Sequence, residues 1–218
     1  MFSWGTNSRA HPGWPARVGP LDVATGGVLL RPIKLRDAAE WSRLRIRNQE
    51  LLLPWEPTGE ANWVARHHRG NWPGLYSVLK AEARRGVLLP FVIEVDGAYV
   101  GQLTIGNLQR GAVRSAWIGY WVDKEWTGQG IATAAVALGV DHAFGPVGLH
   151  RLEATVQPTN AASRTVLTKV GFRHEGLLKR YMDVDGRWRD HDLFAMTTEE
   201  VVSSASETLV RAGRAHFR

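Results

Sequence analysis

Short apolar runs closed by Gly, Pro, Asn and Asp alternate with longer stretches whose apolar positions recur at helical spacing. Residues 28–33 read as a first strand. Asp37 with Glu40 has the spacing of an acidic capping box, which opens a helix through about Leu52 before Pro54 ends it. A second helical stretch begins near Glu60, breaks at 70–74, where Pro73 forbids uninterrupted helical hydrogen bonding, and resumes over 75–85. Residues 91–95 and 99–105 flank Asp96-Gly97, a strong hairpin turn, and 115–122 adds a third strand. An Ala-rich helix over 128–144 precedes a strand at 151–156. Asn160 then caps a helix that ends at Gly171, a residue suited to a left-handed C-terminal cap. Residues 172–178 and 190–196 read as strands around Asp185-Gly186, and Thr197-Thr198-Glu199-Glu200 as the start of a C-terminal helix. A meander followed by a β-α-β unit predicts an α/β chain of the α+β kind with a mixed, mainly antiparallel sheet.

No linker divides the 218 residues, so the pattern predicts one domain over 28–197, an N-terminal extension over 1–27 and a helical appendage over 198–218. No apolar run approaches the roughly 18 residues of a membrane span, and 1–27 lacks the hydrophobic segment of a secretory signal, which makes the cytoplasm the expected compartment. The absence of cysteine excludes disulfides, thiolate metal sites and a cysteinyl intermediate. A net charge of +6 suits polyanionic ligands, but the basic residues are dispersed and no RNA-binding motif occurs, which argues against sequence-specific nucleic-acid recognition. The ten tryptophans are expected in the core and cleft walls. The eight histidines show no metal-ligand spacing; adjacent His67 and His68 point to different faces of a helix.

Between the third strand and the Ala-rich helix stands Glu125-Trp126-Thr127-Gly128-Gln129-Gly130-Ile131-Ala132-Thr133. Gly128 and Gly130 can take positive φ, and the unpaired N–H groups that open a helix can then face a diphosphate. A nucleoside-triphosphate loop would end in Gly-Lys-Ser/Thr, where Ile131-Ala132-Thr133 stands. A dinucleotide loop would follow the first strand of a parallel unit rather than an antiparallel meander, although Glu153 lies at a suitable distance for a ribose ligand.

With Tyr120-Trp121-Val122 before it, this turn resembles the acetyl-CoA loop of GNAT acetyltransferases. Asn160-Ala161-Ala162-Ser163, Lys169-Val170-Gly171-Phe172, Glu175-Gly176 and Trp188-Arg189-Asp190-His191 resemble the RimJ/RimL subgroup, and the resemblance covers roughly residues 28–196. It implies a twisted sheet that splits between the strands ending at Val122 and Val156. It also implies that Trp121 and Val122 hold the pantetheine arm through their main chain. Gly128, Gln129, Gly130, Ile131, Ala132 and Thr133 would surround the diphosphate, and Asn160 would contact pantetheine. Glu125 departs from the Gln or Arg common at its position in the superfamily.

The implied reaction is direct acetyl transfer to an amine in a ternary complex, the leading acceptor being the N-terminus of a ribosomal protein with a small first residue such as alanine. An α-amino group, with a pKa of about 8 against about 10.4 for lysine, requires only a modest base. Ser163 is the first candidate for protonating the thiolate, and Tyr181 the second. Each has a plainer role, Ser163 in the first turn of a capped helix and Tyr181 in core packing. Met182 stands near where some subgroup members carry a glutamate, which leaves Asp183, Asp185 and Glu56 as substitute bases. Trp55 and Glu56 resemble the acceptor-side loop. Asp190 and His191 face opposite sides of a strand and do not form a pair. A small-molecule amine acetyltransferase and a noncatalytic acyl-CoA-binding ribosome or regulatory factor are the alternatives, with the oligomeric state left open.

Overall fold

The computed structural model describes residues 13–218. Nine strands form one sheet, in the spatial order β7-β8-β6-β5-β4-β3-β2-β1-β9. In chain order these are β1 Val18–Val23, β2 Gly26–Pro32, β3 Leu88–Val95, β4 Ala98–Gly106, β5 Ser115–Val122, β6 Arg151–Val156, β7 Arg173–Val184, β8 Arg187–Thr197 and β9 His216–Phe217. Every adjacent pair is antiparallel except β5 and β6, which run parallel. The helices are α1 Ala38–Arg47, α2 Gln49–Leu52, α3 Trp63–Arg66, α4 Trp72–Arg84, α5 Ile131–Phe144, α6 Ala161–Val170 and α7 Ala205–Arg211. The mixed, mainly antiparallel architecture expected from the sequence is the one observed.

Alternation along β3 shows how the two faces are filled. Leu89, Phe91, Ile93 and Val95 point into the larger core, which holds most of α5, whereas Val92 points to the opposite face with Ile33, Trp41, Leu44, Trp72 and Tyr99. Asp96 and Gly97 both have positive φ, 44° and 92°, as the two-residue turn between β3 and β4 requires. Helix α5 is buried on nearly every side, and its small residues let it lie close to the sheet: a Cβ at Gly139 would stand 3.2 Å from Ile118 Cδ1.

Tertiary contacts overrode several local expectations. The strand expected first is second, because β1, within the expected N-terminal extension, pairs with it and buries Leu21 and Val23; residues 1–12 of that extension lie outside the described residues. The expected C-terminal appendage folds back so that β9 pairs with β1, which covers that edge of the sheet. Thr198–Glu200 forms a single 3-10 turn, and the helix starts only at Ala205. Asp37 makes no capping box with Glu40. Its carboxylate accepts the Lys34 N–H at 2.7 Å and pairs with Arg31 at 2.9 Å, while Glu40 bonds Arg43 at the surface. Strand β7 extends beyond Leu178 to Val184 through an irregularity between Leu178 and Met182, where Arg180 takes φ 50°.

Asp141, on α5, accepts the N–H groups of Ala205 and Ser206 at 2.6 and 3.0 Å and so holds the start of α7. Asp141→Ala is expected to cost about 1 kcal/mol and to lower the thermal midpoint by roughly 2–4 °C, which a calorimetric melt would measure.

Candidate active site

Strands β5 and β6 pair at only three positions, Ser115 with Arg151, Ala116 with Leu152 and Trp117 with Glu153. Beyond Trp117 they part. The gap forms a cleft of about 180 Å³ between Ile118, Gly119 and Tyr120 on one side and Ala154, Thr155 and Val156 on the other. A groove of about 560 Å³ and a cavity of about 660 Å³ share lining residues with the cleft. Trp55 and Tyr120 line all three spaces, so the groove and the cavity both adjoin the split.

The groove runs over Trp121 and Val122 to the glycine turn, and its walls include Gly128, Gly130, Ile131, Ala132, Thr133, Asn160 and Ser163. Gly128 and Gly130 have φ of 77° and 81°. No side chain caps α5 at Gly130, and the first backbone bond into the helix runs from Ala134 N to Gly130 O at 2.9 Å. Among the described residues, the N–H groups of 128–133 therefore have no acceptor. A Cβ at Gly128 would meet open space, so the backbone is accessible from the groove. These features fit a diphosphate. The Gln129 side chain is not part of this wall; it turns back to the Glu125 carbonyl at 2.9 Å.

A network with a buried centre at Asn48 and Asp123 braces the loop. Asn48 donates to Asp123 at 2.7 Å and accepts the Lys124 N–H at 2.8 Å, and Arg47 bonds both Asp123 and Glu125. Asp123 is only 1% exposed. The acidic residue at 125 thus has a local partner at the end of α1.

Asn160 caps α6 by accepting the Ser163 N–H at 3.1 Å, as its sequence position predicts. The Ser163 hydroxyl is not consumed by that cap. It lies 3.0 Å from the Tyr120 hydroxyl, whose pKa is pushed up by burial despite the bond with Ser163. Ser163 faces both the groove and the cleft.

Tyr181, 47% exposed, lines the large cavity and not the groove, so the two candidate acids stand in different spaces. The bulge in β7 delivers it there, beside Met182, with its ring 5.7 Å from that of His191. Trp55 and Glu56 reach the cavity on a loop pinned across the cleft: Gln157 donates to the Pro54 carbonyl at 2.8 Å, and Thr58 N bonds the Asp183 carbonyl at 2.9 Å. Glu56 is already engaged, with Arg45 at 2.8 Å and Arg66 at 3.9 Å. Asp183 accepts the Thr58 hydroxyl, and Asp185 occupies the hairpin turn with φ 52°; neither lines the cavity.

Sequence reasoning missed Arg45, whose guanidinium stacks 5.1 and 5.2 Å from the rings of Trp63 and Trp121, and the buried His67 behind it. It also missed the placement of Tyr120 and His191 at the cleft. Only the Tyr120-Trp121 aromatic pair before the glycine turn gave a local hint. Among the described residues no three His, Asp or Glu gather as a metal site would require, and no helix is long and apolar enough to cross a membrane.

The split sheet with its glycine-loop groove defines the GNAT type of acetyltransferase. The acetyltransferase (GNAT) domain matches residues 28–173, and the chain belongs to this family. Within it, the chain is similar to Mycobacterium smegmatis RimJ in complex with CoA-disulfide, at 60% identity over 95% of this chain and 100% of that one, with a TM-score of 0.94. Ribosomal protein uS5-alanine N-acetyltransferase of Escherichia coli (strain K12) is 26% identical over 190 residues, 86% of this chain and 96% of that protein. The Bacillus subtilis (strain 168) probable N-acetyltransferase YjcK is 43% identical over 101 residues, 46% of this chain; the match spans only about half of that relative's length, 56%.

Burial, then the nearby Arg45 charge, holds the His67 pKa down to about 4 from 6.5, so the folded protein keeps this ring neutral where the unfolded chain protonates it. Its contribution is whole above pH 6.5 and is lost as the pH falls toward 4. His67→Gln is expected to flatten the decline of stability in that window, as a pH series of urea melts would show.

Proposed function

We propose that this chain is an acetyl-CoA-dependent N-acetyltransferase that acetylates the N-terminal amine of a ribosomal protein beginning with a small residue such as alanine, in the cytoplasm. The observation that carries the reading is the split between the parted strands, which a diphosphate-ready groove and a separate aromatic cavity both adjoin. The 60% identity to a RimJ solved with a CoA derivative and the full-length similarity to a uS5-alanine N-acetyltransferase support cofactor and acceptor.

Acetyl-CoA, when bound, supplies an activated thioester. The amides of residues 128–133 and the α5 N-terminus hold the diphosphate, with the backbone at Trp121 and Val122 completing the groove. Asn160 fixes the start of α6 and thereby Ser163. The Ser163 hydroxyl, bonded to Tyr120, gives its proton to the departing sulfur. Trp55 walls the acceptor against the opening, and Glu56 adds an acceptor oxygen within an arginine-bound pair. Tyr181 orients the acceptor from the far wall. Holding both reactants across the split converts the encounter into a local reaction, an effect able to contribute about 7 kcal/mol or more.

The deciding experiment is mass spectrometry of peptides and small amines incubated with acetyl-CoA, with peptide lysines blocked. Acetylation of the first residue of an Ala-initiated peptide is the expected outcome, whereas labelling confined to small amines would replace the acceptor assignment. Ser163→Ala is expected to lower kcat by about 100-fold with CoA affinity retained, and unchanged turnover would remove Ser163 from the chemistry. Gly130→Ala places a Cβ at positive φ, a strain of about 1–2 kcal/mol, and should weaken CoA binding roughly tenfold by calorimetry.

A further inference from the structure

We propose that His191 is the general base of the transfer, an assignment that deepens the proposed acetyltransferase reaction and rests on it. A base must reach the acceptor nitrogen where the cavity meets the split, and only six described residues line both the cavity and the cleft. Two of them carry a titratable side chain, Tyr120 and His191. Tyr120 is bonded to Ser163, and burial opposes its ionisation.

The carboxylates are placed or paired otherwise. Glu56 is held by Arg45 and Arg66, and Glu153 by Arg151 at 2.7 Å; both lie on the cavity wall outside the cleft. Met182 has no proton-accepting group. His191 is 3% exposed, fixed within β8 opposite Leu178 and packed edge-on against the Tyr181 ring.

Its tautomer follows from its partner. Nδ1 lies 3.2 Å from the Arg189 carbonyl, which can only accept, so Nδ1 carries a hydrogen. In the neutral ring the lone pair is then on Nε2, which makes no hydrogen bond among the described residues. Imidazole is the side chain best suited to exchange a proton near neutrality.

Nε2 accepts the proton that the acceptor nitrogen loses as its bond to the acetyl carbon forms. The carbon–sulfur bond breaks with its electron pair on sulfur, Ser163 supplies the proton for that sulfur, and His191 returns the proton it took through solvent, which restores Ser163. Asp190 takes no part. On the other face of β8 it accepts the Arg180 N–H at 2.8 Å.

The test compares wild type with His191→Ala and His191→Gln on an Ala-initiated peptide, measuring kcat, KM, CoA affinity and the response to added imidazole. The expected result is a fall in kcat of about 100-fold in both variants, CoA affinity within about twofold, and at least about tenfold recovery of His191→Ala by imidazole. Turnover within about threefold of wild type overturns the assignment, as does loss of activity matched by loss of CoA binding, or no recovery with imidazole. Should His191→Ala not fold, the kcat of His191→Gln decides. Full activity of His191→Gln would leave the N-terminal acetyltransferase reading intact, whereas a wild type inert toward every amine overturns both.

Discussion

The parting of β5 and β6 after three paired residues is the constraint on which the site depends. A parallel pair in the middle of a sheet is ordinarily closed along its length, because unpaired backbone groups in a protein interior are costly. Here the ladder stops at Trp117 and Glu153, and both strands continue. The open stretch is tolerated because it borders an open cleft and because an extended ligand rich in amides can complete it as an added strand would. The opening adjoins two cavities whose linings differ, one edged by bare backbone N–H groups and the other walled by aromatic rings and Arg45.

The elements around the opening are held from a distance. α5, almost wholly buried, points its uncapped N-terminus at the groove, and its small side chains set how close it lies to the sheet. The end of α1 supplies Arg47 and Asn48, which lock the turn after β5 through Asp123. The same helix supplies Arg45 to the acceptor cavity. One helix therefore sets both the cofactor loop and the acceptor wall. A shift of α1 would be felt on both sides of the split, since the same helix bonds the loop and lines the cavity.

Much of the site was legible where the chemistry is local. Gly128 and Gly130 were readable as left-handed positions, Asn160 as a cap and Gly171 as a stop, because each depends on backbone conformation within a few residues. The Asp96-Gly97 and Asp185-Gly186 turns were legible for the same reason. Asp37 misled, because its capping pattern lost to Arg31, a partner on a neighbouring strand. Glu56 was legible as a wall residue, while its two arginine partners were not.

The sequence by itself determined the order of strands and helices from β2 to β8, the helix-opening glycine turn and the family, because turn residues, caps and alternating apolar positions act over short separations. The tertiary structure alone decided that residues 18–23 and 216–217 join the sheet. It alone placed Tyr120 against Ser163, Tyr181 in the other cavity and His191 at the junction of the two. Those placements come from strand register and from a bulge in β7. Shifting register by one residue would turn each side chain to the opposite face, and nothing in the local sequence specifies it.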